Sequence, residues 1–218
     1  MTDAPAGSGL DHPDPSVRMK AALWAGMHSA TVPIEALIDR CAVEPDFFVR
    51  DMLTWALTRH PADDVVPRLL AELGSTVPQA RSQALHTLSK LGDRRAWPSV
   101  SGGLLHDSDD EVARSAWRAA VALVPAGSEE VLARELARHL GRGDQDLQRS
   151  LSRALVALGE ASAPPLAAAA ATGSIEARAH AMATQRLLED PESGFIPLLD
   201  EAKRAAILGR GPIPGTTC

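Results

Sequence analysis

The chain has 218 residues, 45% hydrophobic and 23% charged, with a net charge of −6. This is a folding composition rather than a disordered one, and the acidic excess works against generic binding to nucleic acid or anionic membrane. Two cysteines exclude a disulfide framework, and no run approaches the roughly 18 consecutive apolar residues of a membrane span.

Residues 1–13, rich in Pro, Gly and Asp, are expected as a disordered lead. They lack the basic start and apolar stretch of a secretory signal, so the cytoplasm is the expected compartment. A pattern then recurs along residues 14–207. It reads DPSVRMKAAL from Asp14, PDFFVRDMLTWAL from Pro45 and VPQARSQALHTL from Val77. It continues as DDEVARSAWRAAV from Asp109, DQDLQRSLSRALVAL from Asp144 and SIEARAHAMA from Ser174. The arginines Arg18, Arg50, Arg81, Arg114, Arg149 and Arg178 are 32, 31, 33, 35 and 29 residues apart. A period near 30 over most of a chain is the mark of a solenoid, in which each repeat buries its apolar face against its neighbours.

Each repeat is expected to pair an Arg-bearing helix with a sparser one, such as VVPRLLAEL from Val65. Pro33, Pro61, Pro67, Pro98, Pro125, Pro164 and Pro197 are placed near helix starts, and Gly74, Gly92, Gly141, Gly159 and Gly173 near helix ends. Asp14, Asp46 and Asp110, four residues before their arginines, are expected to cap the Arg helices. The third copy has Val77-Pro78 where the cap belongs. The fifth, capped by Asp144, places Gln148 rather than Arg149 at the anchor position. FIPLLDEAKRAAIL from Phe195 reads as a closing helix, and residues 208–218 as a flexible tail.

The stretches DPSVRMKAAL, DFFVRDMLTWAL and ARSQALHTLSKLGDRRAWPSV resemble HEAT repeats, especially the short bacterial type of phycobilisome (bilin) lyases. The resemblance spans about residues 14–205. It implies an all-α, right-handed α-solenoid of about six helical hairpins. The chain is also similar to HEAT segments of some MerR-type regulators, although thirteen residues before the first repeat cannot hold a winged helix. The resemblance implies a structural role for Arg18, Arg50, Arg81, Arg114 and Arg178, tying repeat to repeat, over an anion-binding strip.

Candidate chemistry is sparse. Trp24, Trp55, Trp97 and Trp117 are read as core fillers ahead of stacking platforms, with Asp51 near Trp55 a faint echo of a base-excision groove. The seven histidines form no metal-binding spacing, and no cofactor is expected. Arg134, Arg138 and Arg142 form an i, i+4, i+8 row read as a solvated face ahead of a basic ridge. Cys41 is read as core; Cys218, on the tail, is the candidate for terminal modification.

No phosphate loop, nucleophile elbow or carboxylate pair is present, so no enzyme is expected. The expected function is an adaptor that binds a protein through the concave face. Its exposed positions are expected to be Asp51, Thr54, Trp55, Thr58, Ser82, His86, Ser89, Ser115, Arg118, Ser152 and Arg153. The alternatives are a nucleic-acid-binding or DNA-repair protein and a bilin-lyase-like subunit. Titration with duplex DNA separates the first alternative. The acidic chain is expected to show no binding at about 50 mM salt, and retention of DNA there would favour the groove reading.

Overall fold

A computed structural model describes residues 9–208; the N-terminal part of the expected lead and the tail with Cys218 lie outside the described residues. Every regular element described is helical, and the helices fall into two compact units, residues 1–123 and 124–218.

Unit 1 contains α1 (Pro15–Met27), α2 (Ile34–Val43), α3 (Phe47–Leu57), α4 (Ala62–Glu72), α5 (Pro78–Leu91), the short α6 (Trp97–Val100) and α7 (Asp110–Leu123). The Arg-bearing helices α1, α3, α5 and α7 pack in succession, with α2 and α4 against α3 and α5 as a second layer. Small side chains set the spacing. Ala22 and Ala25 of α1 and Ala56 of α3 are fully buried. Gly26 carries no Cβ because the Trp55 ring fills that space.

The N-caps are local. Asp14 accepts from the Ser16 N–H at 2.8 Å, and Asp46 from the N–H groups of Phe48 and Val49. Pro78 opens α5 at its first position, where its missing N–H is harmless. Pro67 lies inside α4 rather than at a helix start. In the fourth copy the cap is Asp109, not Asp110. Its carboxylate accepts from Glu111 and Val112 at 3.0 and 3.1 Å. The ordered structure also begins earlier than expected, with Leu10 buried at 3% exposure.

Counting from the cap reveals one repeated tie. The residue four after the cap sends its side chain back over its own turn. Nη1 of Arg18 donates to the carbonyls of His12 and Pro13, and Nη1 of Arg50 to those of Glu44 and Pro45. The rest of the fork reaches forward to an acid two residues before the next cap. Nε and Nη2 of Arg18 hold both oxygens of Glu44 at 2.7 Å, and Arg81 holds Asp107 at 3.0 and 3.1 Å. Each acid also accepts the N–H of the cap residue, Asp46 or Asp109, at 2.9 Å. One bidentate pair thus fixes a helix, its own turn and the following turn.

Glu44 is fully buried, which pushes its carboxyl pKa up. Arg18, the Asp46 N–H and Arg40 more than offset that and hold it at about 2. At the corresponding site before the third cap stands Ser75, whose hydroxyl accepts the Val77 N–H at 3.2 Å, and Gln79 supplies a tie by donating to the carbonyls of Cys41 and Glu44.

Unit 2 contains α8 (Glu129–Ala137), α9 (Gln145–Ala157), α10 (Ala163–Thr172), α11 (Ile175–Glu189) and α12 (Phe195–Ile207). Helix α11 packs on α9, α10 and α12. The tie is rebuilt here from neutral groups. Gln148, at the anchor, donates to the carbonyls of Gly141 and Gly143 at 3.4 and 3.1 Å. His180 is wholly buried. Its Nδ1 accepts the Gly141 N–H at 3.0 Å, which leaves the proton on Nε2 to donate to the Gln148 carbonyl. Nε2 also lies 2.9 Å from Ser152 Oγ, which pairs with Thr184 Oγ1 at 2.7 Å. Gly141 has φ +86°, and any Cβ there would press on the Ala177 backbone, so glycine is required.

Two outcomes follow from these ties. All four tryptophans lie in unit 1, so their fluorescence reads its unfolding alone. Glu44→Ala leaves a buried guanidinium unpaired and is expected to destabilise unit 1 by about 3 kcal/mol. Ser75→Ala is expected to cost under about 1 kcal/mol, and equal shifts in denaturation midpoint would refute the tie.

For His180, burial lowers the ring pKa to about 4. The folded value lies below the ordinary 6.5, so the unfolded chain takes up the proton first. The contribution is therefore full above pH 6.5 and drains away as pH falls toward 4, by ~3 kcal/mol in all. A ring NMR titration is expected to stay at neutral-imidazole values down to about pH 5. A titration midpoint at 6 or above would contradict the burial argument.

Candidate functional site

The anchor residues hold the turns, so the next positions along each helix are the ones free to vary. In unit 1 the residues five and nine beyond the cap are Met19 and Leu23 on α1, Asp51 and Trp55 on α3, Ser82 and His86 on α5, and Arg114 and Arg118 on α7. They form one stripe across four successive helices. The α1 end is apolar, with Met19, Leu23 and Trp24 at 37%, 41% and 41% exposure. Trp55 is 37% exposed, seated over Gly26 and 5.8 Å from the Arg59 guanidinium.

Toward α7 the stripe becomes cationic. His86 is half-buried between Asp51, Lys90 and Arg118; burial first, then the two cations, lower its pKa, while Asp51 opposes them. Burial and then neighbouring Arg114 lower the pKa of Arg118, although the residue keeps an exposed surface. Like charges four apart on a helix repel, so this end favours an anion nearby.

The expected contact residues divide by burial. Asp51, Trp55, Arg118 and Arg153 are exposed, and Thr58, His86 and Ser89 are half-buried. Thr58 and Ser89 spend their hydroxyls on the carbonyls of Trp55 and His86. Thr54, Ser82, Ser115 and Ser152 are buried, which corrects their expected exposure. Thr54 Oγ1 lies 3.5 Å from Thr87 Oγ1 of α5, and Ser152 belongs to the His180 network. These small hydroxyls sit where helices meet, a place an aliphatic residue could also fill.

The structural arginines divide too. Arg18 and Arg81 tie two turns, and Arg50 holds its own turn. Arg178 donates from Nε to the Ala170 carbonyl at 3.3 Å. Arg114 is not an anchor: with Asp109 as cap, the buried Ala113 takes that position. Arg114 instead pairs with Glu111 at 3.3 Å, and its Nε is buried without an acceptor.

Trp117 is wholly buried and donates to the Leu105 carbonyl, so it is core. Trp24 stacks on His28 at 4.4 Å. In the arginine row, Arg134 bonds the Glu130 carbonyl and Arg138 pairs with Glu135 at 3.2 Å. Cys41 is buried, and desolvation pushes its thiol pKa up to about 12, which leaves no nucleophilic thiolate. Among the described residues no group of three or more His, Cys, Asp or Glu is placed to hold a metal ion. Nor is any described helix long and apolar enough to cross a membrane.

Glu44, Asp107, Gln79 and His180 carry the ties and were not singled out by sequence. The usable signal was an acid two residues before a cap, in Glu44-Pro-Asp46 and Asp107-Ser-Asp109.

No curated protein matches the chain. Among solved structures, it is similar to a chain of the complex of CpcE and CpcF of phycocyanin lyase from Nostoc sp. PCC7120. The identity is 20%, covering 94% of this chain and 96% of that one, with a TM-score of 0.38. The model of the family described as HEAT repeats matches residues 34–122. That span runs from the start of α2 into the last turn of α7 and holds the repeated anchor geometry of α3 and α5. Residues 34–122 of this chain are HEAT repeats.

Proposed function

We propose that the chain is a non-catalytic adaptor that binds a protein partner along the stripe of unit 1 formed by α1, α3, α5 and α7. One observation carries this reading: exposed Met19, Leu23 and Trp55 lead along equivalent helix positions to exposed Arg118. An apolar run of this kind on a folded surface suits a protein contact, and an aromatic anchor beside an arginine is the pairing that concentrates binding energy. The partner this chemistry fits is a segment apolar at one end and acidic at the other, laid across the four helices. The cationic end sets its direction and the apolar end supplies most of the affinity.

The test compares capture by the intact chain, by Trp55→Ala and Arg118→Glu, and by a control, Arg94→Glu. Arg94 is exposed in the turn before α6, away from the stripe. A partner is expected whose binding falls about ten-fold or more with each stripe variant and is unchanged by the control. Its association is also expected to slow as salt rises. Capture indifferent to both stripe variants, or no captured protein at all, would overturn the proposal.

A further inference from the structure

Unit 2 contains a cleft that the adaptor reading does not use. It has a volume of about 520 Å³ and lies between α9 and the segment joining α11 to α12. Val156, Leu187, Phe195 and Pro197 give it apolar walls, and Arg149 and Arg153 of α9 stand at it one turn apart. No acidic side chain lines it.

Two acids nearby in sequence are committed, while Glu189 and Glu192 are exposed and do not line the cleft. Asp146 pairs with Arg149 Nη2 at 2.7 Å, and Asp190 accepts from the Glu192 N–H and the Ser193 hydroxyl. Arg153 has no hydrogen-bond or ion-pair partner among the described residues, and Arg149 Nε is buried with no acceptor. A third source of positive potential is α12 itself. This 13-residue helix starts at the cleft wall with Gly194 as cap, no side-chain cap bond and no acid in its first turn. Its N–H groups and dipole favour an anion there.

We propose that this cleft binds a small amphipathic anion, with a single anionic head between Arg153 and the start of α12 and an apolar body against Val156, Leu187 and Phe195. The volume suits a ligand of metabolite size rather than a polypeptide, and a few convergent polar groups over apolar walls are the usual form of such a site. The two arginines, like charges four residues apart, repel each other, and an anion beside them offsets that repulsion. This site lies wholly in unit 2, so its failure would leave the stripe of unit 1 untouched.

The probe is 8-anilinonaphthalene-1-sulfonate, titrated into the full chain by fluorescence beside the uncharged N-phenyl-1-naphthylamine. Saturable one-to-one binding of the sulfonate is expected, with the uncharged analogue at least about ten-fold weaker. Arg153→Gln is expected to weaken the sulfonate by about ten-fold. Gly194→Asp places a carboxylate at the cap of α12, where a Cβ meets only Pro197 at ordinary contact distance. That variant is expected to keep or raise the melting temperature while also weakening the sulfonate, which separates site loss from unfolding. No saturable binding overturns the proposal. So does equal binding of the two probes, or sulfonate affinity unmoved by both variants.

Discussion

Everything else in unit 1 depends on a single constraint: a guanidinium must satisfy two turns at once. Arg18 and Arg81 donate backward to carbonyls and forward to a carboxylate, and that carboxylate is itself fixed by the N–H of the next cap. The fork has no slack. Moving the helix by one residue would turn the anchor by about 100° and break the backward and forward bonds together. The tie therefore fixes the rotation of each helix as well as its place in the stack. That rotation decides which residues form the stripe from Met19 to Arg118.

The same logic explains how far the sequence could be read. The period, the pairing of helices, the caps Asp14, Asp46 and Asp144, and the exceptional role of Gln148 were legible because they rest on short-range chemistry. The rotation of α7 was not. Its start holds Asp107, Asp109, Asp110 and Glu111, four acids competing for one cap, and only the Asp107–Arg81 contact across the repeat favours Asp109. A one-residue error there made Arg114 an anchor and Ser115 a surface residue. Thr54, Ser82 and Ser152 failed for a different reason. Small hydroxyls suit both water and a close helix contact, and Ser152 is buried only because His180, 28 residues away, receives it. Glu44 was hidden because an acid before Pro-Asp reads as solvated turn until the distant Arg18 is placed on it.

Repeats that share a backbone plan need not share the chemistry that holds it. In unit 1 the ties of Arg18 and Arg81 are charged, while Arg50 holds only its own turn and Gln79 supplies the neutral tie beside it. In unit 2 the same turns are held by an amide and a neutral imidazole. The Arg18–Glu44 tie persists in acid because Glu44 is held at about 2, whereas the His180 network is whole only while the ring is uncharged. The two units thus respond to different pH ranges, although they are built on one sequence pattern.

The position of the arginines follows from this change of chemistry. In α7 and α9 the anchor is Ala113 or Gln148, and the arginine stands one residue later, as Arg114 or Arg149. A guanidinium displaced by one residue can no longer reach the carbonyls of its own turn. In both helices its Nε is buried without an acceptor, and a second arginine follows one turn on, Arg118 or Arg153. Cations that lock the turns elsewhere are here turned outward, to the end of the stripe in one unit and to the wall of the cleft in the other. One slip of register between cap and arginine thus moves the cation off its turn and onto an acid three residues earlier, Glu111 or Asp146. The cationic end of the stripe and the arginine wall of the cleft therefore both lie where the repeat departs from its own rule.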